Sequence, residues 1–128
     1  LKTVASLISD HHPNHLEDVW HLLLFKLKNM KIELKKFGTT LISRQNGREA
    51  FAAFQPQLTA LGENENLELD FEGVITFTPS WGDEFLSPLV KQYTSRLVLM
   101  NTSNLSVKAT LELLEKINQI TFNTKRDE

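Results

Sequence analysis

The chain of 128 residues contains no cysteine. Disulfides, thiol redox chemistry and thiolate metal sites are therefore excluded, and the composition fits an intracellular protein. It also lacks an excess of positive charge: 14 Lys and Arg stand against 16 Asp and Glu. Without a basic run, the electrostatic footprint of a nucleic-acid binder is missing. Long apolar runs are absent too. Runs such as Leu22 to Phe25 or Ala50 to Phe54 are far shorter than the ~20 residues that cross a bilayer. The first ten residues carry neither a basic leader nor a small-residue cleavage site. The expectation is a soluble cytoplasmic protein, bound to neither nucleic acid nor membrane. Glycine is scarce, and no Gly-rich phosphate loop, Gly-x-Ser-x-Gly elbow or His-Glu-x-x-His motif is present. With no nucleophile–base pair legible, the sequence predicts no enzyme, no catalytic residue and no cofactor.

What is present is organised around Leu67 to Leu89. Leu67, Leu69 and Phe71 alternate with Glu68 and Asp70, which predicts a strand with one apolar face. A turn at Glu72-Gly73 leads into a second apolar run, Val74 to Phe77, and Thr78-Pro79-Ser80 ends the extended chain. Ser80 and Asp83 stand at capping-box spacing, so Ser80 is expected to be the N-cap, with Asp83 and Glu84 in the first turn. Trp81, Phe85, Leu89 and Tyr93 then recur every four residues, a helical stripe.

A chain of this length supports one domain with a real core. Residues 1–29 read as an N-terminal helical segment, which is an appended piece if Met30 is the natural start. Within it a helix from about His15 to Lys28 is apolar nearly all round, which suits an added layer or self-association through residues 15–28. Lys31 to Phe37 and Thr40 to Arg44 read as a hairpin turning near Gly38. Asn46 and Glu49 predict a helix start, with a stripe of Phe51, Phe54, Leu58 and Leu61 and a kink or shortening at Pro56. Arg96 to Met100 reads as a buried strand. Val107, Leu111, Leu114 and Ile117 mark a last amphipathic helix ending near Ile120. Residues 121–128 read as a flexible tail. The order implies an α/β fold: a small mixed β-sheet packed by helices, with right-handed crossovers and a domain spanning residues 30–120.

The run LDFEGV followed by TPSWGDEFL resembles the signature of the STAS-like domains of unknown function. These are bacterial relatives of the STAS fold found in sulfate transporters and anti-sigma factor antagonists. Asp70, Phe71 and Val74 match an apolar-Asp-Phe-x-x-Val strand, and Ser80, Asp83 and Glu84 match the helix start that follows it. Trp81 stands for the usual Phe, and Gly82 for Ala. By element order the similarity extends over roughly residues 31 to 120, but the central stretch carries it. The resemblance implies a STAS-like fold and a regulatory, partner-switching protein module in signalling. It further implies a histidine-kinase-like ATPase or anti-sigma-type regulator as partner, and Ser80 at or beside a phosphorylated switch position. Nucleotide or small-molecule sensing, and a purely structural oligomerisation unit, are the alternatives.

Each candidate has a plainer reading. Ser80 serves equally as a cap, and Asp83 and Glu84 would repel a phosphate placed on it. Trp81 beside Gly82 reads either as an exposed partner-binding anchor, together with Asp83, Glu84 and Phe85, or as a core residue folded onto Phe85. Asp70 is expected on the less buried face with Glu68, accepting hydrogen bonds from the turn after it. His11, His12, His15 and His21 are the only histidines. Their spacing is not that of metal ligands, so no metal site is expected.

Overall fold

The computed structural model describes residues 29–125, together with residues 18 and 19. The expectations for the four histidines and, apart from those two residues, for the apolar helix at 15–28 lie outside the described residues. From the N-terminal side, β1 (Asn29–Glu33) leads through a 3-10 turn (Leu34–Phe37) to β2 (Thr40–Leu41) and α1 (Arg44–Leu58). Next come β3 (Asn66–Asp70), β4 (Thr76–Phe77) and α2 (Pro79–Tyr93). β5 (Leu97–Met100), α3 (Leu105–Asn118) and β6 (Asn123–Lys125) complete the order.

The fold is α/β, with a four-stranded sheet in the order β1-β3-β5-β6 and a two-stranded ladder of β2 and β4. Every pairing among the described residues is parallel. Pairing register sets Ile32 beside Leu69 and Leu69 beside Leu99, with Leu67 beside Leu97. Because side chains alternate along a strand, these residues share one face, and all of them are buried. The strand order advances in one direction at each crossover, so right-handed connections put the three helices on that same face. α2 lies in the middle of the helical layer, packed against α1 on one side and α3 on the other.

Three expectations are corrected here. The first is the hairpin. Leu34 is fully buried, and the chain turns inward at it as a 3-10 helix rather than continuing as a strand. β1 then pairs with β3, while β2 crosses to β4 in parallel. The second is the tail. Phe122 is buried, and Asn123–Lys125 add a fourth strand alongside β5. Their side chains are all exposed, and backbone pairing holds them together with the Asn123 amide, which donates to the Ser95 carbonyl at 3.2 Å, and Lys125, 3.8 Å from Glu68. The third is the start of α1. Ser43, not Asn46, is the cap, its Oγ accepting from the Asn46 N–H at 3.0 Å. Pro56 is accommodated in the last turn, and the helix stops at Leu58, short of Leu61. The α2 stripe is as expected, with Trp81, Phe85, Leu89 and Tyr93 all in the core. In α3, Val107, Leu111 and Leu114 are buried whereas Ile117 is not.

Candidate functional site

The junction of β4 with α2 is set by Thr78 and Pro79. Proline biases the residue before it toward extended backbone, and its own fixed φ suits the first helical position. Thr78 is accordingly extended, with φ −98° and ψ 156°, and Pro79 opens the helix. The cap is therefore Thr78, whose Oγ1 accepts from the Trp81 N–H at 3.4 Å, and not Ser80. The same hydroxyl donates to the Ile42 carbonyl at 2.5 Å, and the Thr78 N–H donates to the Leu41 carbonyl at 3.0 Å. One residue thus ends β4, starts α2 and ties both to the chain after β2.

Ser80 is displaced from the capping role to the second position of the helix, where it is exposed. Asp83 and Glu84 move with it, out of the first turn. Both carboxylates are met by α1. The Arg44 guanidinium donates to Asp83 Oδ2 at 2.9 Å and to Glu84 Oε1 at 3.0 Å, and Arg48 reaches Glu84 Oε1 at 3.5 Å. Ser87 Oγ donates to Asp83 Oδ1 at 2.8 Å, and Asn118 Nδ2 donates to Ser87 Oγ at 3.1 Å. A line of polar contacts from Arg44 to Asn118 therefore crosses all three helices. Bonding to Arg44, then to Ser87, holds the Asp83 carboxyl below the ordinary range. Arg44 likewise lowers Glu84, and the two carboxylates raise Arg44 in return.

Trp81 and Phe85, read from the sequence as possible surface anchors, belong to the core. Trp81 is only 1% exposed and stacks on Phe85 with ring centroids 4.8 Å apart. Phe37, Phe54 and Phe77 complete the aromatic cluster around them. The cause is helical phase, since Trp81 and Phe85 fall on the buried face with Leu89. Of the five candidate residues, Ser80, Asp83 and Glu84 reach the surface together, and the two aromatics sit beneath them.

The opposite end of the β3–β4 segment holds a second polar cluster. Asp70 ends β3 and is 3% exposed, against the expectation of a less buried face. Its Oδ1 accepts from the Glu72 N–H at 2.9 Å, as expected of the turn, and from Asn101 Nδ2 at 2.6 Å. Lys31 lies 3.5 Å from Oδ2. Burial pushes the Asp70 carboxyl up, but Asn101, the Glu72 amide and Lys31 outweigh it, and the group lies below the usual carboxylate range. Asn101, at φ 57°, follows β5 directly. It comes from 31 residues down the chain, so local sequence gave no hint of it. Beside this cluster a polar crevice of about 570 Å³ is lined by Glu72, Gly73, Asn101, Ser103 and Asn104.

The start of α3 closes the outer edge of β4. Asn104 caps α3 through its Oδ1, which accepts from the Val107 N–H at 3.1 Å, while its Nδ2 donates to the Ile75 carbonyl at 3.2 Å. Ser106 Oγ accepts from the Phe77 N–H at 2.9 Å, and Thr110 donates to the Phe77 carbonyl at 2.5 Å. Side chains thus stand in for a missing strand.

Among the described residues no group of three or more His, Asp or Glu is placed to hold a metal ion. None of the helices described is long and apolar enough to cross a membrane. No curated protein and no solved structure gives a significant match to the chain. Residues 50–107, from within α1 to the first turn of α3, do match a family model, that of the STAS-like domain of unknown function (DUF4325).

Proposed function

We propose that this STAS-like domain is a non-enzymatic regulatory module that binds a protein partner through the start of α2. The partner expected by analogy with anti-sigma factor antagonists is a histidine-kinase-like ATPase. One observation carries the reading. Ser80 is exposed at the second position of a 15-residue helix, and the carboxylates three and four residues on are paired with Arg44 and Arg48. Asp83 and Glu84 alone would repel a phosphate on Ser80, but the two guanidiniums offset them, and the helix start favours negative charge. Phosphorylation would then turn a small, rigidly mounted surface from balanced to negative. Against an enzymatic role stands the one buried carboxylate among the described residues. Asp70 is held ionised by three donors, which makes it a poor proton shuttle near neutral pH.

The test is capture of partners from native cells with wild type, Ser80→Ala and Ser80→Asp as baits. An ATP-binding kinase-like protein should bind the first two and be lost with the third. Equal capture by all three baits places the interface elsewhere.

A second reading, nucleotide or small-molecule sensing, is favoured by the crevice beside Asp70 and Asn101. It lies outside the carboxyl ends of β3 and β5, where parallel sheets bind ligands. A ligand at 100 times its Kd would add about 2.7 kcal/mol of stability, so thermal shift with millimolar ATP and GTP distinguishes the two readings.

A further inference from the structure

The outer face of α3 carries an apolar stripe that the fold does not use. Leu105, Ala109, Leu113 and Ile117 follow at four-residue intervals, and all four are exposed, Leu105 to 82%, Leu113 to 42% and Ile117 to 60%. Ile75, 64% exposed, adjoins the stripe at its N-terminal end, where Asn104 bonds its carbonyl. Four of the six large hydrophobic side chains found exposed among the described residues thus lie along one strip. Its helix forms the outside of the helical layer, because α2 separates it from α1. The twelve helical steps from Leu105 to Ile117 make a strip about 18 Å long at about 1.5 Å per residue.

One border of the strip is the body of the domain, where Ser106 and Thr110 bond Phe77. The other border is a row of exposed charges of alternating sign, Lys108, Glu112 and Lys116, again four apart. That row selects the occupant. If two copies pair through α3 in parallel about a two-fold axis, the row of one copy lies across the strip from the row of the other, and the charges do not meet. Turned antiparallel, the row is self-complementary: Glu112 of one copy stands opposite Lys108 of the other, and the two-fold repeats the pair. In that register the apolar residues interleave rather than collide, Leu113 falling between Leu105 and Ala109 of the other copy. Interdigitation of rows spaced by four is the common way for helices to pack.

We infer that the outer face of α3 is the interface of a two-fold homodimer, with the helices antiparallel and two Lys108–Glu112 pairs flanking the apolar strip. This surface is distinct from the α2 start and leaves it open. A contact of about three helical turns falls at the small end of specific interfaces, under about 1,200 Å², so the dimer is expected to dissociate at micromolar concentrations.

Sedimentation equilibrium of the full chain from about 5 to 500 µM tests it, on the affinity scale of weak contacts. Wild type should approach twice the chain mass of 14.7 kDa at the upper end. Leu113→Glu should hold the mass at that of one chain while circular dichroism is unchanged, since the residue is on the surface. Glu112→Lys should weaken the dimer at least tenfold, as should Lys108→Glu, and the double variant Lys108→Glu with Glu112→Lys should restore it. A monomeric wild type at 500 µM overturns the inference. So does a dimer that survives Leu113→Glu, which would put self-association elsewhere, as in residues 15–28. A dimer lost with both single charge variants and not restored by the double variant rejects the antiparallel register.

Discussion

Gly47 of α1 and the backbone of Trp81 in α2 are in direct contact: a Cβ on Gly47 would stand 2.6 Å from the Trp81 carbonyl oxygen. The two helices approach this closely only because residue 47 has no side chain. The contact brings Arg44, one turn earlier, within reach of Asp83 and Glu84. Packing of a core helix and presentation of a charged surface thus rest on a single glycine.

Gly47→Ala decides between two opposed effects. Alanine favours helix over glycine by up to about 1 kcal/mol, but a forced approach to backbone atoms costs about 1–3 kcal/mol. Trp81 cannot move aside, being packed among Phe37, Phe77 and Phe85. The clash should win, and urea unfolding should show net destabilisation. A stabilised variant would mean that the helices separate readily.

Thr78→Ala and Ser80→Ala should part company. Losing the Thr78 hydroxyl removes a cap and the bond to the Ile42 carbonyl, costing about 1–2 kcal/mol. Ser80 is exposed and does not cap, so its loss should stay within about 0.5 kcal/mol. Equal losses in chemical denaturation would return the capping role to Ser80.

The sequence made this point partly legible. Serine three residues before an acid is a capping signal, but Pro79 was the stronger one. A proline at the first helical position puts the cap on the residue before it, and Thr78 has the hydroxyl to serve. β3 and the buried stripe of α2 could be read directly, because period two and period four each leave one unbroken apolar face, and β5 because Leu97 to Met100 is apolar throughout. β6 could not, since Asn-Thr-Lys has no apolar face and joins the sheet by backbone pairing. The false hairpin has a similar origin. Ile32 and Leu34 alternate as strand residues do, and nothing local distinguishes a strand end from the 3-10 turn that buries Leu34. Asp70 escaped for a different reason, its chief partner being Asn101 on the far side of α2.

Trp81→Ala should behave as a core deletion, at about 3–5 kcal/mol, and not as a lost surface contact. Its ring is enclosed and stacked on Phe85, so melting temperature falls whether or not a partner is present. Any weakening of partner binding by this variant then follows from unfolding. Preserved stability with loss of binding alone would contradict the packing seen here.

Acid sensitivity of the fold should trace in part to Asp70. Its carboxyl is ionised more readily in the folded chain than the usual unfolded value near 3.9, as Asn101, the Glu72 amide and Lys31 more than offset its burial. Between these two values the folded state holds fewer protons than the unfolded state, so stability rises with pH. The contribution is complete above about pH 5 and is lost as pH falls through the depressed folded value. Asp70→Asn keeps the shape and an acceptor oxygen for Asn101 and Glu72, and removes only the charge. Near neutral pH the variant should be less stable than wild type by about 2 kcal/mol, the scale of hydrogen bonds to a charged group. Asp83 and Glu84 also titrate low, but they are common to both proteins and cancel in the difference. Urea unfolding of the pair at pH 7, 5 and 3 should therefore show a gap that is constant from 7 to 5 and narrows at 3. A gap of the same size at all three would show that the charge of Asp70 contributes nothing and that the loss comes from the amide group introduced there.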